Sequence, residues 1–155
     1  MHDFHLNNNV NLWKLLRMTS VVEYQGDLRT RCVHLQSQSA LLTDAPTDNQ
    51  GKGEQFSPTD LLATSLASCM LTVMGIKAQQ LHINMQGFTL SVTKIMAANP
   101  RRVSAIELTA SIPETIQQLD TSTKEVLKKT GESCPVIKSL HPDIKITIEW
   151  GEWTT

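Results

Sequence analysis

Ser57-Pro58-Thr59-Asp60-Leu61-Leu62-Ala63-Thr64-Ser65-Leu66-Ala67-Ser68-Cys69-Met70 opens the longest apolar run of the chain. Ser57 suits a helix N-cap, Pro58 the first helical position, where no N–H is needed, and Asp60 the positive end of a helix dipole. Leu62, Leu66, Cys69, Met70, Val73 and Ile76 then recur three and four apart, the period of a helix with one apolar stripe. Ala63, Ala67, Ser68 and Gly75 leave the other faces slim enough for close packing. The uncharged stretch 61–76, sixteen residues between Asp60 and Lys77, falls short of the roughly 20 that a spanning helix needs. The expectation is a buried helix through the middle of the fold.

Working outward, the residues before this helix form short β-prone runs at 21–24, 28–35 and 40–43. Gln25-Gly26-Asp27 and the polar stretch 36–39 separate them with turn chemistry, which predicts an antiparallel meander. Residues 44–53, Asp44 through Gly53, are dense in turn formers and read as an exposed loop. On the far side, Phe88, Leu90 and Val92 alternate with polar residues, as do Ile106, Leu108, Ala110 and Ile112, predicting two half-buried strands joined around Asn99-Pro100. A second helix is expected over 120–130, stopping at Gly131, with Lys128 and Lys129 in its last turn. A short third helix begins near Ser133, and Ile144, Ile146, Ile148 and Trp150 mark a final strand with one wet face. The fold class is α+β, with mostly antiparallel sheets and helices on one sheet face. Residues 1–17 differ in character and read as an N-terminal extension, and residues 18–155 as a single domain.

Fourteen basic and fifteen acidic residues give a net charge of −1 without a basic run, so no nucleic-acid partner is expected. Three cysteines without a C-x-x-C spacing argue against a disulfide framework, a zinc finger or a thioredoxin site, and fit a reducing cytoplasm. The first seventeen residues lack the basic and small-residue features of a signal peptide, so neither secretion nor a membrane partner is expected. His2, His5, His34, His82 and His141 are scattered, which leaves a metal site unsupported. The chain has no G-x-G-x-x-G, P-loop or G-x-S-x-G motif, and no cofactor is expected.

Chemistry therefore falls to the cysteines. By itself Cys69, on the apolar stripe, reads as a small core hydrophobe rather than as a reactive group. Cys134, in Glu132-Ser133-Cys134-Pro135 between two helical segments, lies where a helix N-terminus stabilises a thiolate, or is an incidental surface thiol. Cys32, within a strand run, reads as structural.

The run from Ser57 to Cys69, followed 65 positions later by Cys134-Pro135-Val136-Ile137-Lys138-Ser139-Leu140, resembles the paired cysteine motifs of the OsmC/Ohr family of osmotically inducible proteins and organic hydroperoxide reductases. The likeness extends over about residues 18–150. It implies an OsmC-like fold, in which two chains intertwine as a homodimer around long central helices. It further implies a thiol peroxidase acting on organic hydroperoxides, with Cys69 oxidised to a sulfenic acid, Cys134 closing a disulfide with it, and a dihydrolipoyl-type dithiol as reductant. An alternative within the same group is a small-molecule-binding or stress protein without efficient turnover. A thiolate halfway along an apolar helix gains little from the helix dipole and loses hydration, so a cation must stabilise it. Arg29 occupies the region where the family carries its thiolate-stabilising arginine, and Arg31, on the same strand face, ranks second. Hydroperoxide reductases of this kind place a glutamate where this chain has Thr59, so Asp60 either substitutes for it in orienting the arginine or serves only the helix start.

Overall fold

The computed structural model describes residues 17–153, so the expected N-terminal extension falls, but for Arg17, outside the described residues. The backbone gathers into two compact units, one ending at Pro58 and the other running from Thr59.

The first unit is the predicted meander. Strands β1 (Ser20–Gly26), β2 (Arg29–His34) and β3 (Ala40–Asp44) pair antiparallel in the order β1-β2-β3. Asp27 and Leu28 make the tight turn between β1 and β2 with φ of 50° and 60°, the left-handed pair that matches the twist of a two-residue hairpin. The turn between β2 and β3 sets a register in which Arg29 lies opposite Asp44. Asp44 is thus the last residue of β3 and only 2% exposed, rather than the first of an exposed loop. The rest of that loop is as expected, with a 3₁₀ turn at Thr47–Asn49. Gly51 is required there, since a Cβ would run into the Ala45 carbonyl.

The second unit holds helix α1 (Pro58–Gln80), strands β4 (Thr89–Ala98) and β5 (Arg101–Ser111), helices α2 (Glu114–Gln117), α3 (Thr121–Glu132) and α4 (Pro135–Ser139), and strand β6 (Lys145–Glu149). β4 and β5 form the expected antiparallel hairpin around Asn99-Pro100. A bulge shifts the register between Ile95 and Met96, so Val103 and Ile106, three apart, both turn inward. β6 joins the other edge of β5 in parallel. A parallel neighbour needs a long crossover, and the segment carrying α2, α3 and α4 supplies it.

Helix α1 starts where the Ser-Pro-x-Asp signal places it. By length and composition alone it could cross a membrane, and a third of its most apolar window is buried within the chain. Its buried face is Ala63, Leu66, Ala67, Met70, Met74 and Ala78, which keeps Leu66 and Met70 of the expected stripe and leaves Cys69 and Val73 partly buried beside it. Leu62 and Ile76 stay exposed, at 39% and 53%, and Cys69 is half-buried at the border. Ala63, Ala67 and Ala78 share the buried face with Leu66, Met70 and Met74, a choice of face that hydrophobicity alone does not reveal in a helix apolar on several sides. Leu66, Met70, Met74, Ile106, Leu108 and Leu127 are the central members of one core.

The expected helix over 120–130 is present as α3, with Asp120 as its N-cap, whose carboxylate accepts from the Thr123 N–H at 2.9 Å. The predicted stop is different. α3 runs through Gly131 to Glu132, and Gly131 is buried without a positive φ. A Cβ there would lie 2.8 Å from Met74 Sδ and 3.4 Å from Met70 Cε, so this glycine serves close packing of α3 on α1.

Candidate active site

The crossing of α3 over α1 has a chemical consequence. Met70 and Met74, the side chains Gly131 packs against, flank the helical turn after Cys69, and Gly131 stands three residues before Cys134. The Gly131 carbonyl accepts the Cys134 N–H at 3.1 Å, which ties the start of α4 to the end of α3. Pro135, at the first helical position, fixes the entry of α4, and Cys134 is its N-cap.

The result is that Cys134 and Cys69, 65 positions apart, come near enough for each thiol to act on the other electrostatically. Cys134 is 1% exposed, and its Sγ accepts the Ile137 N–H at 3.4 Å. Its position at a helix start was expected to favour a thiolate, with a surface thiol as the plainer reading, and burial overturns both. Desolvation pushes the Cys134 thiol above its ordinary range, the Ile137 N–H pulls the other way less strongly, and the neighbouring Cys69 pushes it up further. Cys134 is therefore held protonated next to the more accessible Cys69. All three cysteines are free thiols.

Arg29 is engaged within the first unit. Its Nε donates to Asp44 Oδ1 at 2.6 Å and its Nη2 to Asp44 Oδ2 at 2.8 Å, a two-point fork on a buried carboxylate. The same Nη2 donates to Glu54 Oε2 at 2.7 Å. Asp44 also accepts the Glu54 N–H at 3.1 Å, and the Arg29 fork holds its carboxyl below the usual carboxylate range. Asp44 and Glu54 are thus the acids that orient Arg29, and the sequence reading missed both. The signal for Asp44 was available in the register of the meander, which sets it opposite Arg29 once the turn is placed. Glu54 is brought in by the fold of the loop and had no such signal.

Asp60 lies in the first turn of α1, where Lys94 Nζ donates to Asp60 Oδ1 at 2.7 Å and to Thr59 Oγ1 at 2.9 Å. Lys94 reaches them from the core side of β4 with a side chain only 16% exposed. Arg31 stands opposite Glu23 of β1 and Leu42 of β3. Cys32 is half-buried, between Val22 and Leu41 in one rung of the first sheet, with its Sγ 3.9 Å from Thr30 Oγ1. Among the described residues no group of three or more His, Cys, Asp or Glu side chains could hold a metal ion.

Comparison with known proteins gives a consistent result. Residues 51–149 match the family model described as OsmC-like protein. A crystal structure from Psychrobacter arcticus 273-4, of a candidate osmotic stress induced and detoxification response protein, is 55% identical over 85% of this chain and 94% of that one, with a TM-score of 0.81. An organic hydroperoxide resistance protein OsmC from Legionella pneumophila has the same fold at 17% identity, covering 86% of this chain and 96% of its own, with a TM-score of 0.65. So does an organic hydroperoxide resistance protein from Elizabethkingia anophelis, at 14% identity, coverage of 85% and 94%, and a TM-score of 0.64. No curated protein matches the chain.

Proposed function

Because the chain belongs to the OsmC-like protein family, we propose that it is a thiol-dependent peroxidase that reduces organic hydroperoxides in defence against oxidative stress. The observation that carries this reading is that Cys69 and Cys134, 65 residues apart in sequence, are near neighbours in the fold, one thiol half-buried and the other fully buried.

In the first step the Cys69 thiolate attacks the distal peroxide oxygen. The O–O bond breaks, Cys69 becomes a sulfenic acid, and the alkoxide leaves and is protonated to an alcohol. In the second, the Cys134 sulfur displaces hydroxide from the Cys69 sulfur, the Cys134 proton leaves with it as water, and the two sulfurs share a disulfide. A dithiol such as a dihydrolipoyl group returns both cysteines to thiols by exchange and is itself oxidised to a disulfide. The ordering follows from the environments of the two thiols: burial keeps Cys134 protonated and away from solvent, while the half-buried Cys69 is the one a peroxide can reach. Arg29 is the cation assigned to the Cys69 thiolate in this reading. Asp60, bound to Lys94, serves the start of α1.

A homodimer is part of the proposal. Leu62 and Ile76 on α1, and Val22, Tyr24 and Leu41 on the first sheet, are exposed apolar side chains that a second copy would cover.

Thiol titration after one equivalent of cumene hydroperoxide tests the reading. The three free thiols should fall to one, Cys32, with an internal Cys69–Cys134 disulfide in the peptide map. A count that stays at three refutes it. Steady-state peroxide consumption with dihydrolipoamide no faster than the protein-free control would instead favour a binding protein.

A further inference from the structure

Two carboxylates hold Arg29, and they are not equivalent. Asp44 is 2% exposed and grips the guanidinium at two points, Nε and Nη2. Its Oδ2 is held in turn by the Glu54 backbone N–H at 3.1 Å. The Glu54 side chain is 61% exposed and makes one contact, to Nη2. Releasing it exposes a second Nη2 hydrogen while the Asp44 fork stays intact, because each Nη nitrogen carries two hydrogens. No partner of Nη1 is present among the described residues. The fork on Asp44 therefore sets where the guanidinium points, and Glu54 occupies part of the edge it presents. An exposed side chain making one contact can swing into solvent at little cost, whereas a buried acid cannot.

We propose that Asp44 is the positioning residue of Arg29, and that Glu54 is its exchangeable partner, displaced when the polar head of a substrate reaches the guanidinium. This rests on the reading above that Arg29 serves the chemistry of Cys69. The place where related hydroperoxide reductases carry an arginine-orienting glutamate is Thr59 here, and it is hydrogen-bonded to Lys94. The two acids of the first unit take over that work and divide it between a fixed anchor and a movable cover.

The test uses the full reduced chain and a readout that does not need turnover: the rate of Cys69 alkylation by anionic iodoacetate relative to neutral iodoacetamide, followed by mass spectrometry. Glu54→Gln should raise this ratio roughly two- to fivefold, the scale of one exposed ion pair. Asp44→Asn should lower it roughly tenfold, the scale of a lost charge-assisted hydrogen bond. Opposite signs distinguish positioning from charge counting, since each variant removes one negative charge. Two rises would reduce Asp44 to a local charge, two falls would make Glu54 a second anchor, and either result overturns the proposal. If Asp44→Asn does not fold by circular dichroism, Asp44→Glu replaces it. That variant keeps the charge but displaces the carboxylate, so the ratio should fall, and an unchanged ratio overturns the proposal. Arg29→Ala with the wild-type ratio would separately remove Arg29 from the chemistry of Cys69, whatever Asp44 and Glu54 do.

Discussion

Replacing Gly131 by alanine tests whether the packing of α3 on α1 sets the distance between the two working sulfurs. The added methyl group would start 2.8 Å from Met74 Sδ, 3.1 Å from Met74 Cγ and 3.4 Å from Met70 Cε. To reach the near edge of ordinary contact at 3.4 Å, Met74 Sδ or the helix must retreat by about 0.6 Å. Met74 is fully buried, so its thioether cannot retreat into solvent. Overpacking of this kind costs about 1–3 kcal/mol, while alanine in place of glycine in a helix interior returns about 1 kcal/mol. The expected net loss is about 0–2 kcal/mol of folding stability, read as a lower urea midpoint at unchanged slope. A larger effect is expected on chemistry. Cys134 is tied to the Gly131 carbonyl, and a disulfide requires the sulfurs to close to about 2.05 Å. Displacing α3 by a few tenths of an ångström should slow disulfide closure after peroxide addition, and leave more Cys69 in the sulfenic state, trapped with dimedone. If Gly131→Ala is about 1 kcal/mol more stable than wild type and closes its disulfide at the wild-type rate, the contact with Met74 does not position the pair.

Further expectations follow from burial and charge. Leu66→Ala should lower unfolding free energy by about 2–5 kcal/mol, because Leu66 is fully buried on the core face of α1; a loss comparable to that of an exposed-site mutation such as Leu62→Ala would contradict the assigned face. Asp44 is more acidic in the folded chain than unfolded, so its stabilising contribution is whole above the ordinary carboxylate range, near pH 4, and is lost as pH falls through the lower folded value. The acid limb of a urea-midpoint profile should accordingly be shallower in Asp44→Asn, and parallel limbs would count against the Arg29 fork. Cys134 has the opposite sign: its contribution is whole below the ordinary thiol value near 9.0 and is lost as pH rises through its raised folded value, since the unfolded chain ionises first. Native Cys134 should then resist iodoacetamide at neutral pH while the half-buried Cys32 and Cys69 react, and labelling of Cys134 as fast as Cys69 would refute its burial.

Local chemistry determined a great deal of this protein. The helix from Pro58, the meander before it, the β4–β5 hairpin, the Asp120 cap and the start of α4 all follow from caps, turns and period, because each depends on neighbours a few residues away. The paired cysteine motifs carried the family resemblance for the same reason. Tertiary structure decided what depends on distant partners. The buried face of α1 was legible only in part: Leu66 and Met70 lie on it as the stripe implied, whereas Ala63, Ala67, Met74 and Ala78 are buried and Leu62 and Ile76 are not, because an apolar helix offers several faces and its neighbours choose one. Gly131 looked like a helix stop until α1 was laid against it. β6 gave no sign of its parallel pairing, because strand direction is set by a crossover whose path is not local. Cys134 has the sequence context of an activated thiol, yet desolvation outweighs the helix start, and desolvation exists only once the chain has folded around it. The arginine was legible, but its acids were not: Asp44 became a partner through register and Glu54 through loop closure, contacts made across 15 and 25 residues.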